Sequence, residues 1–283
     1  MSKYTLGGGL TRTQPDGRDL KFGAVHPPIN LNEIAGKDFD VFNYNEVLNQ
    51  GTNDKCTGYG MAKILEAHEK VKLSPDFLFA KGKEMEGNPE SWGLQLRTIF
   101  KVATKIGALE RQDIPKDLDV EKVRDGVWWP DEKAFKHRQQ SYFFIEQDGY
   151  PSLFWAIAGA LWQYRDKQNT AGAGCLWEPD WLNNARIQAF GNTGGFGHFF
   201  AVVGLKHFDD KPYLKILNSG GDGVGDKGYF YMSEEVVNNK FDYGVGMLID
   251  LPPEKAKFYA ANKIRITDNW IVVFWKSILG LWK

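Results

Sequence analysis

Cysteine is scarce in this sequence, with only Cys56 and Cys175 among its 283 residues. Two thiols do not make the disulfide framework of small secreted domains, so we expect a reducing compartment. No stretch reaches the roughly 20 consecutive apolar residues of a membrane span. The first residues also lack the apolar run of a secretory signal. We therefore expect a cytoplasmic protein.

Neither sign of charge dominates the chain, whose formal net charge is −1. This balance predicts neither nucleic acid nor an acidic membrane surface as a partner. Cysteine and histidine do not cluster with zinc-ligand spacing, so no metal or cofactor is expected. Residues 223–228 fit the pattern G-x-G-x-x-G, but a strand-like segment follows them instead of the helix that a dinucleotide site requires.

Hydrophobic residues make up 42% of the chain, enough for one large domain or two modest lobes. Helical spacing of apolar residues predicts helices over residues 61–71, 93–106, 131–138 and 152–165, with Ser74 and Pro75 ending the first. Short β-branched and aromatic segments predict strands at residues 141–145, 173–177, 199–205, 213–217, 229–232 and 245–251. Helices followed by strands indicate an α+β fold, in which two lobes leave a cleft between them.

The same pattern predicts four regions along the chain. Residues 1–42 are punctuated by glycine and proline and form an extended arm. Residues 43–140 form a helical lobe, and residues 141–251 form a β lobe. Residues 252–283 form a linker and a tryptophan-rich tail.

A polar, turn-rich run, residues 50–60, contains one of the two cysteines directly before the first strong helical pattern. A thiol at a helix N-terminus lies near the positive end of the helix dipole, which lowers its pKa. Gln50, six residues before Cys56, offers an amide N–H donor for a developing oxyanion. A lone cysteine is more often a buried structural residue, so a reactive role needs partner residues elsewhere in the chain. Cys175, between apolar residues of a predicted strand, is interpreted as such a buried residue.

His198 is the histidine whose sequence context favours chemistry. It follows the glycine-rich residues 194–197 and directly precedes an apolar strand. The next strand ends at Asn218, and adjacent antiparallel strands would bring the two side chains together. The asparagine carbonyl would then fix the imidazole tautomer and leave the second ring nitrogen for a thiol.

Together these residues resemble the papain-like cysteine peptidases, which share the chain order Gln, Cys, His, Asn and the Gln-to-Cys spacing of six. Further stretches are similar to the propeptide-less bacterial and phage branch, namely residues 15–19, 73–78, 93–97 and 225–230. The resemblance covers roughly residues 10–250. It implies a two-lobe fold with a helical N-terminal lobe, an antiparallel β-sheet or barrel in the C-terminal lobe, and an active-site cleft between them.

The resemblance also implies roles for individual residues and a peptide or protein as the substrate. Cys56 would be the thiolate nucleophile, His198 the general base and then acid, and Asn218 the residue that orients the imidazole. Gln50 and the backbone N–H of Cys56 would form the oxyanion hole. The implied substrate-binding positions are Gly93, along which the family runs its substrate backbone, and Gly197.

Two positions depart from the family pattern, since Thr57 and Gly220 stand where the family usually has tryptophan. The second of these indoles covers the hydrogen bond between asparagine and histidine. Without it, water would reach that bond and weaken it, unless another aromatic residue fills the gap. The alternative interpretation is a catalytically weak or inactive papain-fold protein that binds or builds an assembly such as a phage virion.

The C-terminal residues 268–283 carry a broad apolar face that is rich in tryptophan. Three interpretations are open for this face, and the favoured one is that it folds back on its own domain. It could instead contact a second copy of the chain or an assembly partner. The weakest interpretation is a helix in a membrane interface, because only Lys276 and Lys283 supply positive charge.

Overall fold

The computed structural model describes residues 6–14, 16–88, 91–114, 131–188 and 194–261. The tail at residues 268–283 lies outside the described residues, so its three interpretations stay predictions. The division of the chain into four regions and the cytoplasmic location also stay predictions. In the part of the chain that is described, no helix is both long enough and apolar enough to cross a membrane.

Helices precede most of the strands along the chain, as the sequence predicts. The helices are α1 (Phe22–Val25), α2 (Cys56–Glu69), α3 (Pro75–Glu86), α4 (Leu96–Lys105), α5 (Asp131–Phe135), α6 (Leu153–Tyr164), α7 (Glu234–Lys240) and α8 (Pro253–Ala261). The strands are β1 (Leu10–Thr11), β2 (Phe39–Asp40), β3 (Leu94–Gln95), β4 (Ser141–Phe144), β5 (Ala171–Trp177), β6 (Arg186–Ile187), β7 (Phe196–Phe208), β8 (Lys211–Leu217), β9 (Tyr229–Ser233) and β10 (Gly244–Ile249). The predicted α+β class is confirmed.

The main sheet has the strand order β4-β10-β5-β7-β8-β9-β6, and β2 also pairs with β7. Its neighbours are antiparallel except for β6 and β9, which run parallel. The sheet is therefore mixed, and the expectation of a purely antiparallel sheet is corrected. Within the described ranges the strands form an open path, so the barrel alternative is wrong. A separate parallel pair joins β1 to β3.

Strand β7 lies at the centre of the sheet and is buried on both faces. Phe199, Ala201 and Val203 belong to the core shared with α2 and α4, whereas Phe200 and Val202 belong to the core shared with α6. This alternation follows from the two-residue period of a strand. The start of β7, where His198 lies, is therefore fixed by packing from both sides.

Helix α2 packs tightly on both α3 and β7. A Cβ added to Gly58 would lie 2.3 Å from the Pro75 carbonyl oxygen, and one added to Gly60 would lie 2.5 Å from the Phe199 ring. These contacts explain why glycine stands twice in a helix, where it costs about 1 kcal/mol against alanine. Helix α2 begins at Cys56, five residues before the predicted helix start at residue 61.

Helix α3 is absent from the sequence-based prediction, in which Ser74 and Pro75 end a helix. In the structure they begin one. The Ser74 hydroxyl accepts a hydrogen bond from the Phe77 N–H at 3.2 Å, and Pro75 occupies the first turn. Both are favourable at a helix N-terminus. Helix α7 is absent from the prediction as well, and Ser233 caps it.

The close contact of α2 with β7 predicts that Gly60→Ala destabilises the protein. Overpacking against the Phe199 ring is expected to lower the free energy of unfolding by about 1–3 kcal/mol, measured by urea denaturation. Gly17→Ala is the matched control, because a Cβ there meets nothing within 4 Å. An increase in stability, the result that helix propensity alone would give, would contradict the packing argument.

Candidate active site

Cys56 is the first residue of α2 and its side chain is fully buried. Burial raises the pKa of the thiol to about 12, although the backbone N–H groups of Phe199, Thr57 and Cys56 itself act to lower it. The sequence predicts a lowered pKa from the helix dipole, and this expectation is corrected. In this state desolvation outweighs the dipole, so the sulfur is protonated at neutral pH.

His198 and Asn218 meet at the start of β7 and the end of β8. The imidazole Nε2 lies 2.7 Å from the Asn218 Oδ1, which also accepts the Ser219 N–H at 2.7 Å. Because Oδ1 can only accept, Nε2 carries the hydrogen of the neutral ring, and Nδ1 is left as the basic nitrogen. Nδ1 is buried without a hydrogen-bond partner.

The neutral imidazole is favoured by its surroundings. Burial lowers the pKa of His198 to about 4, against the opposing effect of the Asn218 side chain and the Gly7 backbone. The thiol and the imidazole are therefore both neutral in this state. An ion pair between them requires the site to gain polar surroundings.

The residue that covers the imidazole comes from a neighbouring strand. The family's second tryptophan position is Gly220, where an added Cβ would lie 3.0 Å from the Val224 side chain and 3.5 Å from that of Leu6. Trp177, on β5, instead lies edge-to-face against His198 with ring centroids 5.3 Å apart. The Phe196 ring also lies edge-to-face against His198, with ring centroids 6.0 Å apart. Aromatic rings thus exclude water from this histidine although position 220 is glycine.

Sequence reasoning misses Trp177, although the strand pattern contains a signal for it. Cys175 pairs with His198 across β5 and β7. The residue two positions further along β5 lies on the same face of the sheet. Knowing that β5 and β7 are neighbours would therefore indicate Trp177. The other departure, Thr57, is fully buried, and its hydroxyl has no hydrogen-bond partner among the described residues.

The Gln50 side chain is buried and held in one orientation. Its Oε1 accepts the Ser219 hydroxyl at 2.5 Å, so Nε2 points away as the donor. Nε2 donates to the carbonyl oxygens of Asn53 at 2.7 Å and Gly7 at 2.9 Å. The backbone N–H of Gln50 also donates to the Ser219 carbonyl at 2.9 Å. These hydrogen bonds link Gln50 to Ser219, the residue that follows Asn218.

The implied substrate-binding positions Gly93 and Gly197 both contact Gly9 of the N-terminal arm. The Gly9 N–H donates to the Gly197 carbonyl at 2.9 Å. The Gly9 carbonyl oxygen would lie 2.1 Å from a Cβ at Gly93, so only glycine fits there. Gly93 has a φ of +62°, and its N–H donates to the Asp54 Oδ2 at 3.0 Å. Both glycines therefore contact the backbone of the N-terminal arm.

Comparison with known proteins gives a likeness in structure alone. No protein-family model matches the chain, and no curated protein matches it in sequence. Xylellain, a cysteine protease from Xylella fastidiosa, superposes with a TM-score of 0.68 at 19% identity, over 89% of this chain and 99% of its own. The chain has the papain-like fold.

Two further papain-like structures agree with that assignment. Procathepsin B S9 from Trypanosoma congolense gives a TM-score of 0.57 at 13% identity, over 84% of this chain and 85% of its own. Digestive procathepsin L 3 of Tenebrio molitor gives a TM-score of 0.56 at 15% identity, over 82% of this chain and 76% of its own. At these identities the likeness establishes the fold that the sequence motifs predict. The propeptide-less bacterial and phage branch stays a prediction.

The burial of His198 predicts its titration. Its folded-state pKa of about 4 lies below the unfolded value of 6.5. The unfolded chain therefore binds a proton first as the pH falls, and this histidine's contribution to stability, present above pH 6.5, is lost towards pH 4. Imidazole ¹⁵N chemical shifts, assigned with His198→Gln, should show a neutral ring until the pH approaches 4. A midpoint near 6.5 would contradict the burial argument.

Proposed function

We propose that the protein is a cysteine peptidase that hydrolyses peptide bonds through Cys56, His198 and Asn218. The observation that carries this proposal is the bond between His198 Nε2 and Asn218 Oδ1, which leaves Nδ1 as an unpartnered base. The papain-like fold supports it. The Gln50 amide also already donates to a peptide carbonyl, that of Gly7.

The proposed reaction begins with transfer of the Cys56 thiol proton to His198 Nδ1. The thiolate then attacks the carbonyl carbon of the substrate, and the oxygen develops negative charge. The imidazolium returns its proton to the leaving amine, which breaks the peptide bond and leaves a thioester on Cys56. Water, deprotonated by the same imidazole, hydrolyses the thioester and restores the thiol.

Two donors would stabilise the developing oxyanion, the Gln50 Nε2 and the backbone N–H of Cys56. Gln50 is suited to this because Ser219 and the Asn53 carbonyl fix its amide before any substrate arrives. A donor that needs no reorganisation stabilises the transition state more than a mobile one. Asn218 would keep the imidazole in the tautomer that the proton transfers require.

The second candidate function is binding without catalysis. The observation that favours it is that the Cys56 thiol and the His198 imidazole are both fully buried and neutral. In that case the cleft would hold a peptide segment but not cut it. The two candidates differ in whether Cys56 forms a covalent bond with a peptide carbonyl.

Cleavage of a peptide mixture, followed by mass spectrometry, tests the peptidase proposal. Because the backbone of Gly7 and Gly9 contacts Gln50 and Gly197, the assay uses the native chain and a Gly9→Ala chain. The new Cβ of that variant would lie 1.8 Å from the Asp54 carbonyl oxygen. Cleavage should be lost with Cys56→Ala and His198→Ala and should fall about 10²–10³-fold with Gln50→Ala.

Cys175→Ala is the matched control, since Cys175 is the other buried thiol and takes no part in the proposed reaction. It should cleave at the rate of its parent chain. Cleavage that persists in Cys56→Ala would refute the proposed nucleophile. A folded Gly9→Ala chain that cleaves nothing would favour the binding function.

A further inference from the structure

Lys83 is a buried lysine in the last turn of α3, and only 1% of its surface is exposed. Its ammonium donates hydrogen bonds to the Ser91 carbonyl oxygen, to the Ser91 hydroxyl at 2.8 Å and to the Gly93 carbonyl oxygen at 2.8 Å. Lysine is almost never fully buried unless it is paired. One ammonium group thus holds the backbone of residues 91–93 against α3.

The N–H of Gly93 is bound by the loop that precedes the proposed nucleophile. It donates a hydrogen bond to the Asp54 Oδ2 at 3.0 Å. Asp54 is buried and lies two residues before Cys56. Gly93 is therefore held by Lys83 through its carbonyl and by Asp54 through its N–H. It connects α3 to the loop from which the nucleophile helix begins.

The end of α3 also fixes the next residues of this segment. Glu86 lies three residues after Lys83, on the same side of the helix. Its Oε1 accepts the Gln95 N–H at 2.9 Å. A Cβ added to Gly82 would lie 2.4 Å from the Leu94 side chain, so helix and segment pack closely. The last turn of α3 therefore determines where this segment lies.

We propose that Lys83 is a positioning residue for peptide binding, which acts with Asp54 to hold Gly93 where a peptide backbone would run. The inference rests on the proposed function, because Gly93 is the substrate-binding position that the sequence resemblance implies. Both charged residues act through Gly93 and not on the reacting atoms.

The charge of Lys83 is needed for this role, and its volume alone is not enough. Methionine would fill a similar space but would leave the Gly93 carbonyl without this donor. A buried carbonyl that loses its donor carries the cost of its desolvation, so the segment is expected to move towards water or another donor. A displacement of about 1 Å is enough to spoil the alignment of a bound peptide.

The affinity for oxidised insulin B chain, a peptide of mixed composition, tests this inference. Its Kd is measured by isothermal titration calorimetry in a Cys56→Ala background, and its KM and kcat are measured with Cys56 present. Lys83→Met should raise both Kd and KM about tenfold or more. It should change kcat by less than about twofold, because the Gln50 amide keeps its partners Ser219 and Asn53. A merely structural role would lower kcat and leave KM unchanged.

Lys81→Met is the matched control. Lys81 is also a buried lysine of α3, but its ammonium pairs with Glu84 of the same helix at 2.9 Å. Its replacement should therefore leave Kd, KM and kcat at their native values.

Asp54 supplies a second pair of variants. Asp54→Ala should raise Kd as Lys83→Met does, because it removes the acceptor of the Gly93 N–H. Asp54→Asn keeps an oxygen acceptor and should recover most of the affinity. A folded Lys83→Met chain with native Kd and KM would overturn the proposal, and so would a fall in kcat alone. If Lys83→Met does not fold, the Asp54 variants decide. Native affinity in Asp54→Ala, or equal losses in the two variants, would then overturn it.

The binding result is separate from the peptidase proposal. If Lys83→Met weakens peptide binding but no chain cuts the peptide, the positioning role stands and the peptidase function fails. If the peptide is cut and Lys83→Met leaves Kd and KM unchanged, the peptidase stands and the positioning role fails. Absence of any binding to the Cys56→Ala chain would also overturn the positioning role, since no peptide would then run along Gly93.

Discussion

The contact between α2 and β7 is the constraint on which the candidate site depends. The helix comes close enough for Gly60 to lie against the Phe199 ring. Phe199 follows His198 in β7, and its backbone N–H reaches the sulfur of Cys56 at the start of α2. The proposed nucleophile and base are therefore carried by the ends of two elements that share one packed interface.

The second organising feature is that the side chains of the candidate site are buried from solvent. Trp177 and Phe196 lie against the imidazole, and the side chains of His198 and Cys56 are both fully buried. A charged pair in such surroundings is costly unless other polar groups compensate it. The Cys56 thiol and the His198 imidazole are therefore both neutral in this state. On the proposed function, this neutral pair is a resting state of the catalytic groups.

Much of the candidate site can be predicted from the sequence because its residues have distinctive local contexts. Gln50 lies in a polar turn and Cys56 begins the helix that follows it. The structure brings His198 and Asn218 together at the ends of adjacent strands. Trp177 cannot be found in this way because its position depends on which strands are neighbours, and strand order is not encoded locally. The close packing of the arm is equally hidden, because three glycines indicate flexibility as readily as close approach. Only their neighbours, the carbonyls of Asn53 and Asp54 and the Phe196 ring, distinguish the two.

The fold can be predicted to a similar extent. Apolar periodicity locates α4, α6 and the main strands, but turn residues are ambiguous, and Ser74 and Pro75 begin a helix where a helix end is expected. The barrel alternative fails for a different reason. Closure of a sheet depends on the pairing of its outermost strands, and no local pattern reports that pairing.

The most direct test of the proposed chemistry is to trap the covalent intermediate. The Gly9→Ala chain is mixed with an activated peptide ester, quenched in acid within seconds, digested and analysed by mass spectrometry. We predict an acyl group on the peptide that contains Cys56 and none on the peptide that contains Cys175. The adduct should be lost with His198→Ala. Ester turnover without an adduct on Cys56, or equal acylation of both cysteines, would contradict the proposed mechanism.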